Sequence, residues 1–325
     1  CSTTSTIVNN FKTITMAKDF CASVGGNTGA PKCDKRRGIP VMLVLGDREI
    51  TPEQADDFQA TYRAAVIEAE GSDDKLYPLP LIKAVEKITE ANTVGTLGLG
   101  FREILREGLP GYQFRVVIGQ CQYKALRKWN GYTGHAAVID NQKSYWGYEK
   151  DNGNLSGYEI ASFFVSDNEF GNGTDSVSAL IEIVFADTEQ FHDFSSFISI
   201  DFNIKDIKGL QDVTLSEAAA AASNVYKIKV ETVCDKTNVF GSYSTLLASA
   251  TLWDAKVISP TPATLALTSV TGDATLEAFT TTFDSTAYTA LPSGAVIELS
   301  LKAPSVLAAA NVFGIESQTL TITKP

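Results

Sequence analysis

Catalytic raw material is scarce in this chain. Its 325 residues include two histidines and two methionines. Neither histidine, His135 nor His192, has a cysteine or second histidine nearby at a metal-ligand spacing. No GxSxG elbow, GxxxxGK[ST] loop or HExxH helix occurs, which removes the hydrolases, nucleotide-binding proteins and metalloproteases that those motifs mark. The acid pairs Asp56-Asp57 and Asp73-Asp74 fall on an expected exposed helix and the loop after it, so carboxylate-pair chemistry of the glycosidase kind has no support. The sequence therefore reads as having no catalytic, cofactor-binding or metal-binding residues, and as no enzyme.

Positive charge is also short. Twenty-seven Lys and Arg against 38 Asp and Glu leave a net charge of -11. That balance opposes nonspecific attachment to nucleic-acid phosphates or anionic lipid, so DNA is expected to pass such a surface without being held. No run of eighteen apolar residues is present, and neither a spanning helix nor a membrane partner is expected.

The five cysteines, Cys1, Cys21, Cys33, Cys121 and Cys234, are odd in number, irregularly spaced and without a CxxC pair. Only Cys21 and Cys33 are near enough in sequence to suggest a local link. Free thiols in a reducing cytoplasm are the expectation. A chain opening Cys1-Ser2-Thr3-Thr4 also suits a lipoprotein acylated on Cys1, whereas Met16-Ala17-Lys18-Asp19 reads as a translation start that leaves residues 1–15 as a flexible arm or a stretch not native to the protein.

What is present is β pattern. Gly95, Gly98 and Gly100 lead into Phe101–Leu105, followed by the turn Gly108-Leu109-Pro110-Gly111 and the run Tyr112–Ile118. Two β-prone runs around that turn predict a hairpin, and the glycines precede a strand where a dinucleotide site would need a helix. Lys124–Trp129 is spaced for a short helix with Leu126 and Trp129 on one side. His135–Ile139 and Ser144–Tyr148 form a second expected hairpin around Asp140–Lys143.

Residues 21–38 are Gly/Asn/Lys-rich and read as a loop-like arm. Its basic cluster, Lys32, Lys35, Arg36 and Arg37, is either solvated or a docking arm for an acidic neighbouring subunit. Thr51-Pro52-Glu53-Gln54 predicts a capped helix carrying Phe58, Tyr62, Ala65, Val66 and Ala69 on its apolar side and ending at Gly71. Ile82–Ile88, Leu155–Ile160, Ala161–Val165, Val177–Phe185 and Val225–Val233 read as strands. Phe191, Phe194 and Phe197 read as a helical core stripe after the cap Asp187-Thr188, and Thr214–Ala222 as a helix or compact loop. Asp167–Asp175 is rich in oxygen ligands but departs from the EF-hand order and reads as a surface turn.

The predicted fold is mainly β (α+β). A flexible arm (1–38) precedes a β-sheet or barrel-like main domain (39–259) with one or two packed helices. Pro260-Thr261-Pro262 marks a boundary to a small Ig-like β-sandwich (260–325), short enough that it is either abbreviated or borrows a strand from before Pro260.

The segments TVGTLGLGFREILREGLPGYQF (93–114), KALRKWNG (124–131), DNGNLSGYE (151–159) and the stretch 284–317 together resemble virion structural proteins of tailed phages and prophages of Bacteroidota. The resemblance implies a tail-tube-like subunit: β-rich, joined edge to edge with identical subunits into a ring or tube, in contact with other virion proteins, and located in the virion after assembly in the host cytoplasm. A capsid or head-decoration protein fits the same composition. The competing class is a bacterial surface lipoprotein anchored through Cys1.

Overall fold

Buried side chains sort into separate clusters, and the clusters divide the chain into two units. A computed structural model describes residues 37–68, 71–96, 102–168, 178–207 and 209–325. Two cores draw on residues 42–207, and a third lies wholly between Val213 and Ile322.

The first unit contains β1 (Pro40–Leu45), α1 (Pro52–Asp56), α2 (Phe58–Val66), β2 (Tyr77–Pro78), β3 (Ile82–Lys87), β4 (Thr93–Thr96), β5 (Arg102–Arg106), β6 (Gly111–Val116) and α3 (Gln120–Arg127). It continues through β7 (His135–Asp140), β8 (Ser144–Glu149), β9 (Leu155–Ser156), β10 (Tyr158–Val165), β11 (Ala179–Phe185), α4 (Thr188–His192) and β12 (Ser195–Ser199). Its main sheet runs β12-β8-β7-β10-β11-β6-β3, with β1 on β7 and β2, and β9 on β8. β10 joins β7 through only two residue pairs, Tyr158↔Ala136 and Glu159↔His135. One sheet of the protein curls into a half-barrel, and Leu43, Leu45, Phe114, Trp146, Tyr158, Phe163 and Ile181 share one buried core.

The other face of β1, β7 and β8 is covered by α2 through Phe58, Tyr62, Ala65 and Val66, as the apolar spacing predicts. The Thr51–Gln54 capping box forms with both reciprocal bonds, at 3.1 and 3.3 Å. The single expected helix, however, breaks at Asp57, whose carboxylate starts a second helix by accepting from the Ala60 N–H, and that helix ends at Val66 rather than Gly71.

The expected hairpin around Gly108–Gly111 pairs differently. β5 pairs with β4, while β6 pairs with β3 and β11. The described parts of 82–116 thus pair as two successive antiparallel rungs, β3 with β6 and β4 with β5, and Gly108–Gly111 lies in an irregular joint between them. At that joint the Ile88 N–H donates to the Gly111 carbonyl (2.9 Å) and the Gly108 N–H to Asn92 Oδ1 (2.9 Å). The strands cross so closely that a Cβ on Gly108 would stand 1.8 Å from the Glu90 carbonyl oxygen. Replacing Gly108 by Ala is therefore expected to lower stability by about 1–3 kcal/mol, read as a shift of the denaturant midpoint at unchanged slope. An unchanged midpoint would show that the joint yields freely.

The second unit contains β13 (Gln211–Ala222), β14 (Val225–Thr232), α5 (Phe240–Tyr243), β15 (Trp253–Ser259), β16 (Ala263–Thr264), β17 (Leu267–Asp273), β18 (Ala278–Phe283), α6 (Ser285–Ala290), β19 (Val296–Leu301), α7 (Pro304–Ala309), β20 (Ile315–Ser317) and β21 (Leu320–Thr323). Sheets β17-β18-β14-β13-β20 and β16-β15-β19-β21 enclose a single core.

The boundary expected at Pro260 is thereby displaced to about residue 210. β15, before Pro260, pairs with β19 after it from Trp253↔Leu301 onward. Pro260–Pro262 falls in the tight connection between β15 and β16, which pair with each other. The expectation that the C-terminal sheets borrow strands from before Pro260 is met by β13, β14 and β15, which complete the core with Val213, Tyr226, Val230 and Trp253. The alanine-rich run 218–222, for which the sequence predicts helix or loop, is the far end of β13 and pairs with β14 through Ala219↔Lys227 and Ala222↔Val225, with a register shift before each. Phe194 leaves the expected stripe: α4 stops at His192, β12 follows, and Phe191 and Phe197 are buried while Phe194 faces solvent.

Candidate functional site: an unpaired ribbon at an open sheet edge

β4 and β5 leave the main sheet. Their register is Thr93↔Arg106, Val94↔Ile104, Gly95↔Glu103 and Thr96↔Arg102, and among the described residues neither strand pairs with any third strand. Val94 is 48 % exposed, Ile104 56 % and Leu105 65 %. A two-stranded ribbon with apolar side chains in water has little to hold it, since three strands or a covering element are the usual requirement. Gly95 permits the ribbon's own packing, because a Cβ there would come within 3.0 Å of the Leu105 side chain. Gly98 and Gly100 lie outside the described residues.

At the base of this ribbon, β3 forms an edge of the main sheet and among the described residues pairs with β6 alone. Only Ile82 of this strand is buried, and Val85 and, just beyond it, Ile88 are partly exposed. An open edge presents unpaired N–H and C=O groups ready for another strand. The charges of Lys83, Glu86 and Lys87 along it discourage indiscriminate pairing while leaving a matched partner possible. The ribbon and edge together can accept a strand and bury apolar surface.

A shallow groove lies elsewhere on this unit, beside Tyr148, Lys150, Asp187, Gln190 and Phe194. Its polar groups serve the fold. Asp187 caps α4 by accepting from Glu189 N–H (2.8 Å), Gln190 Oε1 accepts from Glu159 N–H (3.2 Å), and Lys150 Nζ donates to Glu49 Oε1 (2.5 Å). The Asn154 amide, 2.8 Å from Glu49 Oε2, and the Lys150 ammonium hold the Glu49 carboxyl down at about 2. A depressed folded value means that Glu49 stabilises the fold above its ordinary value of 4.5 and loses that contribution as pH falls toward 2. Substituting Gln for Glu49 is expected to flatten the acid limb of the stability profile between about 4.5 and 2. An acid limb of unaltered slope in the variant would count against this role.

The structure places the histidines apart. His135 Nδ1 lies 2.7 Å from Asp47 Oδ1, which also accepts the His135 backbone N–H and so pins the start of β7. His192 closes α4 with its ring edge-on to Phe191. Among the described residues no group of three or more His, Cys, Asp or Glu side chains is placed to hold a metal ion, and no helix is long and apolar enough to cross a membrane. Of the oxygen-rich loop 167–175, only Asp167 and Asn168 are among the described residues.

The cysteine expectation is overturned for two of the five. Cys121, in the first turn of α3, and Cys234, in the turn after β14, form a disulfide with Cα atoms 5.2 Å apart and a sequence separation of 113. Nothing in their spacing marks them as a pair, because the fold alone brings α3 against the second unit. The bridge ties the units together, joined by the Arg63 guanidinium 5.5 Å over the Phe313 ring. Cys1, Cys21 and Cys33 lie outside the described residues, as do Lys32, Lys35 and Arg36. Sequence reasoning also missed the ribbon's independence, which no local pattern in Arg102–Arg106 marks. Set against protein-family models, curated proteins and solved structures, the chain matches none of them.

Proposed function

We propose that this chain is a structural subunit of a virion that joins copies of itself through β edges into a ring or tube, as a tail-tube protein does. The observation that carries this reading is the β4–β5 ribbon, with Val94, Ile104 and Leu105 in water beside the open edge of β3. Such a surface is completed by a strand from a neighbour, and a neighbour offering a different surface generates a ring or filament. The resemblance of segments 93–114, 124–131, 151–159 and 284–317 to phage virion proteins supplies the setting. The net charge of -11 suits a channel through which DNA passes without specific binding. In this reading the subunit assembles in the host cytoplasm, contacts other virion proteins and performs no catalysis. A head-decoration protein would use the same edges in a different lattice.

Negative-stain microscopy with light scattering at rising protein concentration tests the proposal. Rings or tubes are expected, and the pair Val94→Asp and Ile104→Asp should leave folded monomers. A wild-type protein that stays monomeric at high concentration, or turns over a small molecule, sinks it. A second reading, a bacterial surface protein anchored through an acylated Cys1, is favoured by the Cys121–Cys234 bridge, since disulfides persist in oxidising surroundings. Virion surfaces are oxidising as well, so the mass of the N-terminal peptide from cells, acylated or not, separates the two.

A further inference from the structure

Arg37 belongs to the basic cluster expected to reach an acidic neighbour, yet its guanidinium turns onto its own unit, where its contacts among the described residues are rings and neutral oxygens. Its Cζ lies 4.2 Å from the Phe191 ring centroid, 5.6 Å from that of Trp146 and 5.8 Å from that of Tyr158. Nη2 donates to the Phe191 carbonyl, to Ser195 Oγ (2.6 Å) and toward Tyr158 Oη (3.5 Å). The three rings come from three elements, β8, β10 and α4, and each is buried, at 6 %, 1 % and 5 % exposure. Tyr158 Oη and Ser195 Oγ lie 2.5 Å apart, so the polar side of the cage is itself tied together.

We propose that Trp146, Tyr158, Phe191 and Ser195 form a receptor for a guanidinium group, with Arg37 as its resident occupant and the arginine side chain of another chain as the ligand class able to replace it. The chemistry selects arginine over lysine. Ring faces and neutral oxygens attract a broad, weakly hydrated planar cation that can lie on Phe191 while its N–H groups reach the rim. A compact ammonium would give up more hydration and could not fill both requirements. A carboxylate-lined site would take either cation by charge; among the described residues this one offers ring quadrupoles and neutral lone pairs.

The cage is fixed independently of Arg37. Phe191 stacks on Phe185 (4.9 Å between centroids), Tyr158 meets Phe185 edge-on (5.4 Å) and Trp146 packs on Phe197 (4.9 Å). Removal of the Arg37 side chain therefore leaves a preformed cavity. The resident arginine is held nearby by its chain, through Gly38 N–H on Asp140 Oδ2 (2.8 Å) and Ile39 N–H on Asn141 Oδ1 (2.9 Å), so it competes at high local concentration.

The test uses the full-length protein with Arg37→Gln and capped arginine (N-acetyl-arginine amide) as the probe, followed by tryptophan emission and thermal midpoint. Saturable binding in the millimolar range that raises the midpoint of the variant is expected, with at least a fivefold weaker response to capped lysine and none in the wild type at the same concentrations. Phe191→Leu in the same background should abolish the response. Should Arg37→Gln not fold, Arg37→Lys keeps a cation and the stem, and capped arginine should displace its ammonium with the same emission change. Absence of a saturable response in the folded variant, or equal responses to the two probes, overturns the proposal.

Discussion

Reducing the Cys121–Cys234 bridge is expected to produce one of the two largest losses of stability in this protein, about 4 kcal/mol. The bond closes a loop of 113 positions, and a cross-link over so long a stretch removes much of the unfolded chain's freedom. Cys234 is exposed, so a thiol reductant reaches it. Each unit keeps a core of its own, with no residue shared between the cluster at 213–322 and those at 42–207. Reduced protein should therefore retain its strand content at 25 °C while its melting midpoint falls. Single Cys121→Ser and Cys234→Ser variants should fall equally, the double variant no further, and reductant should add nothing to any of them. Wild-type protein that melts identically with and without reductant, at an unchanged electrophoretic mobility, would falsify the assignment.

Replacing Asp140 by Ala is expected to cost about 3–4 kcal/mol, from a position 3 % exposed. One carboxylate accepts four donors: Gln142 N–H (2.9 Å) and Ser144 N–H (3.0 Å) on Oδ1, and Gly38 N–H (2.8 Å) and Trp146 Nε1 (2.8 Å) on Oδ2. The bonds close the β7–β8 turn, orient an indole of the aromatic cage and fasten the chain just after Arg37. Alanine leaves all four donors without this partner, two of them on the buried residues Ser144 and Trp146. Chemical denaturation of D140A gives the magnitude, and Asp140→Asn, which keeps one acceptor oxygen, should lie between it and the wild type. If both variants match the wild type, other groups must supply these donors.

The β7–β8 hairpin shows how much was legible. His135–Ile139 and Ser144–Tyr148 are β-prone runs on either side of a four-residue polar turn, and the structure pairs them as read. Thr51 and Gln54 announced their helix by chemistry confined to four consecutive residues. The site was less visible. Val94, Ile104 and Leu105 look in sequence like ordinary strand residues, and whether a strand is covered depends on partners far along the chain. Gly108-Leu109-Pro110-Gly111 carries turn residues, yet these serve a joint where two strands cross, because the hydrogen-bonding partner of β6 comes from β3 and β11.

Alone, the sequence determined the β-rich character, the capped helix that covers one face of the sheet, and the acidic balance, since each rests on residue type and spacing within a few turns or strands. The tertiary structure decided where the second unit begins, which two cysteines meet, and that Arg37 folds back into a cage of three rings. These depend on contacts between positions tens to more than a hundred residues apart, and local propensity gives way there to the burial and hydrogen bonding that a distant strand provides.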